Sequence, residues 1–249
     1  MQRDVSFFTA EYHWLASSGK LQQLPLPPGA DLKGAQGAHL IFTLRDEWTP
    51  AGQAAIAKGS LIAYRMPEDE PVRATNEAPA EPPAAKDQPL RAKSVSVLYT
   101  PDARSSVDEV SAGRDAVYAS IYQDVTGRIH AFRSPAPGVW SDSVLPLPAG
   151  GSTHIVSTNG WGPEAYFRFE SYTTPTTLYA DAGEGKPVAI KSLPARFDAS
   201  NLLTEQFFAV SSDGTRIPYF VTRRQGAAGP APTVLYGYGG FEVSETPAY

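Results

Sequence analysis

The stretch that decides the reading is Val234-Leu-Tyr-Gly-Tyr-Gly-Gly-Phe-Glu-Val-Ser-Glu-Thr-Pro-Ala-Tyr249. It opens on an apolar run, 232–238, without polar alternation, as expected of a strand buried on both faces of a sheet. The run enters a Gly-rich turn that holds Tyr236, Tyr238 and Phe241. Working back, 225–231 is a Gly/Ala/Pro loop. Before it, Ser211-Ser-Asp-Gly-Thr215 separates two β-rich runs, 204–210 and 216–221. An Asp-Gly pair between such runs predicts a hairpin. The change of texture falls just after Phe197-Asp-Ala-Ser-Asn201, so 201–249 reads as the first strands of a second domain.

Residues 1–200 carry short β-rich runs parted by Gly, Pro, Asp and Ser turns. Strands are predicted at 5–15, 20–24, 38–44, 60–65, 95–99, 108–112, 116–123, 128–133, 139–147, 154–157, 165–170, 177–181 and 188–192. No sustained 3.6-residue periodicity competes with them. Sandwich, barrel and propeller all stay open on pattern alone. Turns such as Ala16-Ser-Ser-Gly-Lys20, Asp124-Val-Thr-Gly-Arg128 and Asp181-Ala-Gly-Glu-Gly-Lys186 join consecutive strands. At four strands per blade the number suits about three propeller blades, too few to close a ring. Residues 66–93, rich in Pro, Ala and Glu, lack the apolar side chains needed for order and read as a mobile surface insertion.

Composition removes several classes of function. Hydrophobic residues make up 42% of the 249, enough for a normal core. The net charge of −5, without a basic stripe, speaks against nucleic acid. No apolar run is long enough to cross a bilayer as a helix, so no membrane partner is expected. Cysteine is absent, and His13, His39, His130 and His154 are scattered. No metal site or cofactor is expected from that set. The lack of cysteine suits a reducing compartment, and Met1-Gln-Arg-Asp-Val-Ser-Phe-Phe8 has no apolar leader core. A cytoplasmic location is expected, or a periplasmic one if a longer parent carries a leader.

Taken together, Phe197-Asp-Ala-Ser200, the Ser212-Asp-Gly-Thr-Arg-Ile-Pro218 hairpin and Tyr236-Gly-Tyr-Gly-Gly-Phe241 resemble the junction of a prolyl oligopeptidase, where a β-propeller passes into an α/β-hydrolase domain. Leu44-Arg-Asp-Glu-Trp-Thr49 with Lys58-Gly-Ser-Leu61, and Ser171-Tyr-Thr-Thr-Pro-Thr-Thr-Leu-Tyr179, are similar to later blades of bacterial members. The resemblance implies a mainly β chain: a partial propeller over 1–200 and a truncated hydrolase start over 201–249. It implies a serine peptidase that cuts short peptides after proline. Tyr238 then resembles the phenol of an oxyanion hole, Gly239 and Gly240 let backbone approach the substrate, and Phe241 resembles a wall of the proline pocket. On the residues alone, Tyr236, Tyr238 and Phe241 read as core aromatics at a strand end.

The same resemblance calls for Ser, Asp and His in that chain order, the serine on a Gly-x-Ser-x-Gly elbow. No serine here meets the pattern. Ser152, in Gly150-Gly-Ser-Thr-His154, has histidine where the second glycine should stand, and the pair reads as a turn at a blade edge. All four histidines precede Tyr238. The chain is therefore expected to be a fragment without its triad, inactive alone. The alternative is a non-catalytic propeller-type module that pairs with another chain or with itself through exposed strands. A dipeptidyl peptidase would need a paired-Glu motif, which is not seen.

Overall fold

In a computed structural model, residues 1–6, 9–16, 19–66, 95–136, 138–240 and 243–249 are described. Regular structure among them is β throughout. The chain divides into two compact units. The first comprises Met1–Pro101 with Ser134–Trp140, the second Asp102–Arg133 with Ser141–Tyr249. Most of the predicted insertion at 66–93 lies outside the described residues.

The first unit opens with β1 (Gln2–Ser6), β2 (Thr9–Leu15) and β3 (Leu21–Gln23), a three-stranded antiparallel sheet. The single strand predicted at 5–15 is therefore corrected to a hairpin, with Gln2 opposite Tyr12. Next come β4 (Ala30–Gln36), β5 (His39–Leu44), β6 (Leu61–Arg65) and β7 (Val95–Tyr99), paired in chain order as a four-stranded meander. Strand β4 was not predicted. Asp31, Lys33 and Gly34 blur its polarity, and a bulge between Leu32 and Gly34 breaks the period-2 pattern. The two sheets of the unit share a core of Tyr12, Leu24, Phe42, Leu44, Ile62 and Tyr64. Tyr12 meets Phe42 edge-on at 5.0 Å. Its hydroxyl donates to Ala30 O at 3.0 Å and accepts from Leu32 N at 3.2 Å, so the buried phenol satisfies β4 as it packs.

His39 is only 8% exposed in this unit and lies opposite Arg65 across the β5–β6 ladder. Burial, then the Arg65 charge, holds its imidazole below the ordinary value. The folded state thus binds this proton less tightly than the unfolded chain does. Its contribution is complete above the ordinary imidazole value of about 6.5 and is lost as pH falls below it. His39→Gln is expected to flatten the fall in urea midpoint between about pH 7 and pH 5, a window set by that direction of shift. An unchanged slope in the variant would remove His39 as the cause.

The second unit holds two further meanders. One is β8 (Ser105–Ala112), β9 (Val117–Gln123), β10 (Thr126–Ala136) and β11 (Val139–Val144), the last two strands reaching into the Ser134–Trp140 stretch. The other is β12 (Ser152–Thr158), β13 (Ala165–Glu170), β14 (Thr177–Asp181) and β15 (Val188–Ser192). Three four-stranded antiparallel meanders are three propeller blades, the number expected from the spacing. Between the two blades of this unit pack Tyr118, Ile129, Ala131, Leu145, Ala165 and Phe167. In β13 the residues Ala165, Phe167 and Phe169 are buried while Tyr166 and Arg168 are only half-buried. That alternation is what a strand shows when its two faces meet different surroundings.

The blades also touch through backbone. Gly127 N donates to Gly151 O at 2.8 Å, and a Cβ on Gly127 would lie 2.5 Å from Thr153 Oγ1. Gly127 was expected to serve the β9–β10 turn. Instead the turn is made by Asp124 (φ 47°) and Val125 (φ 61°), and the glycine provides clearance inside β10. A positive φ at a β-branched residue is uncommon and costly. Here it is braced: Arg104 forms a two-pronged ion pair with the Asp124 carboxylate, and Asp124 O accepts from Gln206 Nε2 at 2.6 Å.

Last come β16 (Leu202–Val210) and β17 (Arg216–Arg224), the predicted hairpin. Its turn has Gly214 at φ +85°, with Asp213 Oδ1 accepting from Thr215 N at 2.9 Å. The hairpin lies against the blades of its unit. Phe208 sits beneath the Arg104 and Arg216 guanidiniums, and Phe220 meets Tyr172 at 5.4 Å. The strand predicted at 232–238 is corrected: these residues carry no regular secondary structure and belong to no sheet. Val234 is 94% and Leu235 97% exposed. An apolar run becomes a buried strand only where lateral partners exist, and none of the described residues supplies one.

Candidate functional site

The Gly-rich turn follows this unpaired run. Tyr238 is 50% exposed. Its phenol folds back over Gly240, where a Cβ would lie 2.9 Å from the hydroxyl and 3.0 Å from Cζ. Gly239 faces open space on its side-chain side, so nothing crowds the backbone there. Val243 N donates to Gly240 O at 3.1 Å. Tyr238, Gly239 and Gly240 are thus together at one surface bend; Phe241 lies outside the described residues. A phenol O–H held beside open backbone can stabilise negative charge developing on an approaching carbonyl oxygen.

The segment beyond the bend was not anticipated from sequence. Pro247 is buried, and its carbonyl accepts from Ser152 Oγ at 2.5 Å. Tyr249 stacks on Phe197 at 5.2 Å, its hydroxyl accepts from Arg196 N at 2.8 Å, and its N–H approaches Glu170 Oε2 at 3.4 Å. No local signal could have revealed these contacts, because each joins residues more than fifty positions apart in the chain.

Ser152 and His154 do not act as a pair. They are alternate residues of β12. Ser152 is 2% exposed and turned to Pro247. His154 Nδ1 pairs with Glu109 Oε1 at 3.0 Å. Glu109 places its other oxygen 2.6 Å from Ile155 N, so the carboxylate is fully engaged between the first strands of two blades. Asp108 lies beside it, and the ligating atoms of Asp108, Glu109 and His154 fall within 4.8 Å of one another. Burial, then the Glu109 charge, raises the Asp108 carboxyl above its ordinary value, with His154 opposing. The group is a hydrogen-bonded cluster joining blades, with both Glu109 oxygens already engaged. His130, in β10, pairs with Asp142 at 3.0 Å.

No protein-family model matches the chain. Among curated proteins it is 33% identical over 229 residues to an uncharacterized peptidase of Sinorhizobium fredii, covering 91% of this chain and 29% of the relative. It is 29% identical over 143 residues to a prolyl endopeptidase of Elizabethkingia miricola, covering 56% of this chain and 20% of the relative. Among solved structures, a post-proline cleaving enzyme from Rickettsia typhi superposes with a TM-score of 0.70 at 26% identity, over 97% of this chain and 33% of that one. The chain spans a third or less of the length of each.

Proposed function

From its membership of the prolyl oligopeptidase family we propose that this chain is a segment of a serine peptidase that hydrolyses short peptides on the carboxyl side of proline. Residues 1–200 form part of the propeller and 201–249 the start of the hydrolase domain. In this reading Tyr238 donates to the oxyanion, Gly239 and Gly240 leave room for the substrate backbone, and Phe241 walls the proline ring. The observation that carries the reading is the bend itself, with a phenol folded over Gly240 and open backbone at Gly239, in a chain whose relatives include a prolyl endopeptidase. In this reading the nucleophile is not among these residues, and the Ser152 hydroxyl donates to Pro247 O instead. Purified residues 1–249 are expected to release no chromophore from a proline-anilide reporter. Turnover that disappears in Ser152→Ala would overturn that assignment.

A second reading has its own support. Val234, Leu235 and Tyr236 are exposed and belong to no sheet, and an unpaired apolar run can add to a sheet edge. A non-catalytic module would use it to pair with another chain or a second copy. Size-exclusion chromatography of the same sample distinguishes the two, because self-pairing through this run is abolished by Leu235→Asp and a monomer is indifferent to it.

A further inference from the structure

Ser152 is the one motif serine that the proposed chemistry leaves unused, and its partner lies 95 residues along the chain. We propose that 245–249 is a clamp fastened to the blade β12–β15, with Ser152 as its buried anchor, and that the clamp positions the Gly-rich turn 237–240. Ser152 is then a positioning residue for Tyr238. The role given to Tyr238 rests on the proposed function; the clamp itself does not.

Two anchors sit side by side on the blade. Ser152 and Glu170 are cross-strand partners in the β12–β13 ladder. The first binds Pro247 O and the second faces Tyr249 N. Proline suits a buried anchoring point because it brings no N–H that would need a partner. Only its carbonyl must be satisfied, and the Ser152 hydroxyl does that. The hydroxyl is held from behind. Gly151 has no room for a side chain against Glu170 O and the Phe169 ring. The Tyr122 phenol, which donates to Thr153 O and accepts from Thr153 N, each at 3.3 Å, holds the next residue of β12. Glu170 is steadied by Thr176 Oγ1 at 3.0 Å. Tyr249 completes the clamp by closing on 196–197, the stretch that leads from β15 toward β16. Upstream, the Val243–Gly240 hydrogen bond ends the Gly-rich turn a few residues before Pro247. At no more than about 3.6 Å of reach per residue, so short a connector limits where the turn can go once Pro247 is fixed.

The chain has no cysteine, so Ser244→Cys gives a unique attachment point between turn and clamp. A fluorophore placed there in the full chain is expected to show a large slow component in its anisotropy decay. Adding Ser152→Ala or Tyr249→Phe is expected to abolish that component while the far-UV spectrum and unfolding midpoint stay close to those of the parent. Tyr249→Phe keeps the ring on Phe197 and removes only the acceptor for Arg196 N, so it reads the clamp even if Ser152→Ala fails to fold. A label equally free in all three proteins, or equally held in all three, would overturn the clamp. With a triad-bearing hydrolase segment joined to the chain, Ser152→Ala is expected to lower kcat with KM little changed. Release of the label without loss of kcat would leave the clamp standing and remove the role of Tyr238.

Discussion

Phe167→Ala is expected to destabilise the second unit by about 3–5 kcal/mol, the range for deleting a fully buried aromatic ring. Phe167 is completely inaccessible and lies 5.2 Å from Tyr118, on the neighbouring blade. The cost combines lost apolar burial with a cavity that flanking strands cannot collapse into, because both are held in register by their own ladders. Domains are stable by about 5–15 kcal/mol in total, so the variant should unfold at a much lower urea midpoint with little change in slope. Phe167→Leu should recover most of the difference. A loss below about 0.5 kcal/mol for the alanine variant, the scale of an ordinary surface change, would mean that the two blades do not share this core.

The second large effect concerns chemistry. With residues 1–249 joined to a triad-bearing hydrolase segment, Tyr238→Phe is expected to lower kcat about 10²–10³-fold, the usual loss for one oxyanion donor. KM should change little, because the bond strengthens only as charge develops on the substrate oxygen. Tyr236→Phe provides the comparison. Its phenol is more exposed, and no transition-state contact is assigned to it, so kcat should stay near that of the parent. Equal rates for the parent and Tyr238→Phe would return Tyr238 to the status of a surface aromatic.

Much of the blade architecture is legible in the sequence because each strand advertises itself locally. The run Ala165–Glu170 reads as a strand from its alternation alone and is one. Where the reading fails, the deciding contact is remote or the local signal is mixed. Strand β4 hides behind Asp31, Lys33 and Gly34, since a bulged edge strand need not alternate cleanly. The run at 5–15 conceals a reversal, as its residues are β-formers on both sides of the bend. The apolar run at 232–238 states what it requires, a partner on either side, without stating whether one is present. Of the candidate site, the Gly-rich bend with Tyr238 is visible in the primary structure. The hold of Ser152 and Glu170 on its downstream end is not, because nothing near either residue in sequence points to Pro247 or Tyr249.

The bare α-carbon at Gly127 has a consequence for how such a chain can vary. The backbone hydrogen bond from Gly127 to Gly151 sets the stand-off between two successive blades, and even one methyl group at Gly127 would drive into Thr153. Widening that gap would tilt one meander against the next and carry everything mounted on the second, including the tail seated at Ser152, out of line. The wedge angle of this pair is tied to a site with room for no side chain larger than a hydrogen atom.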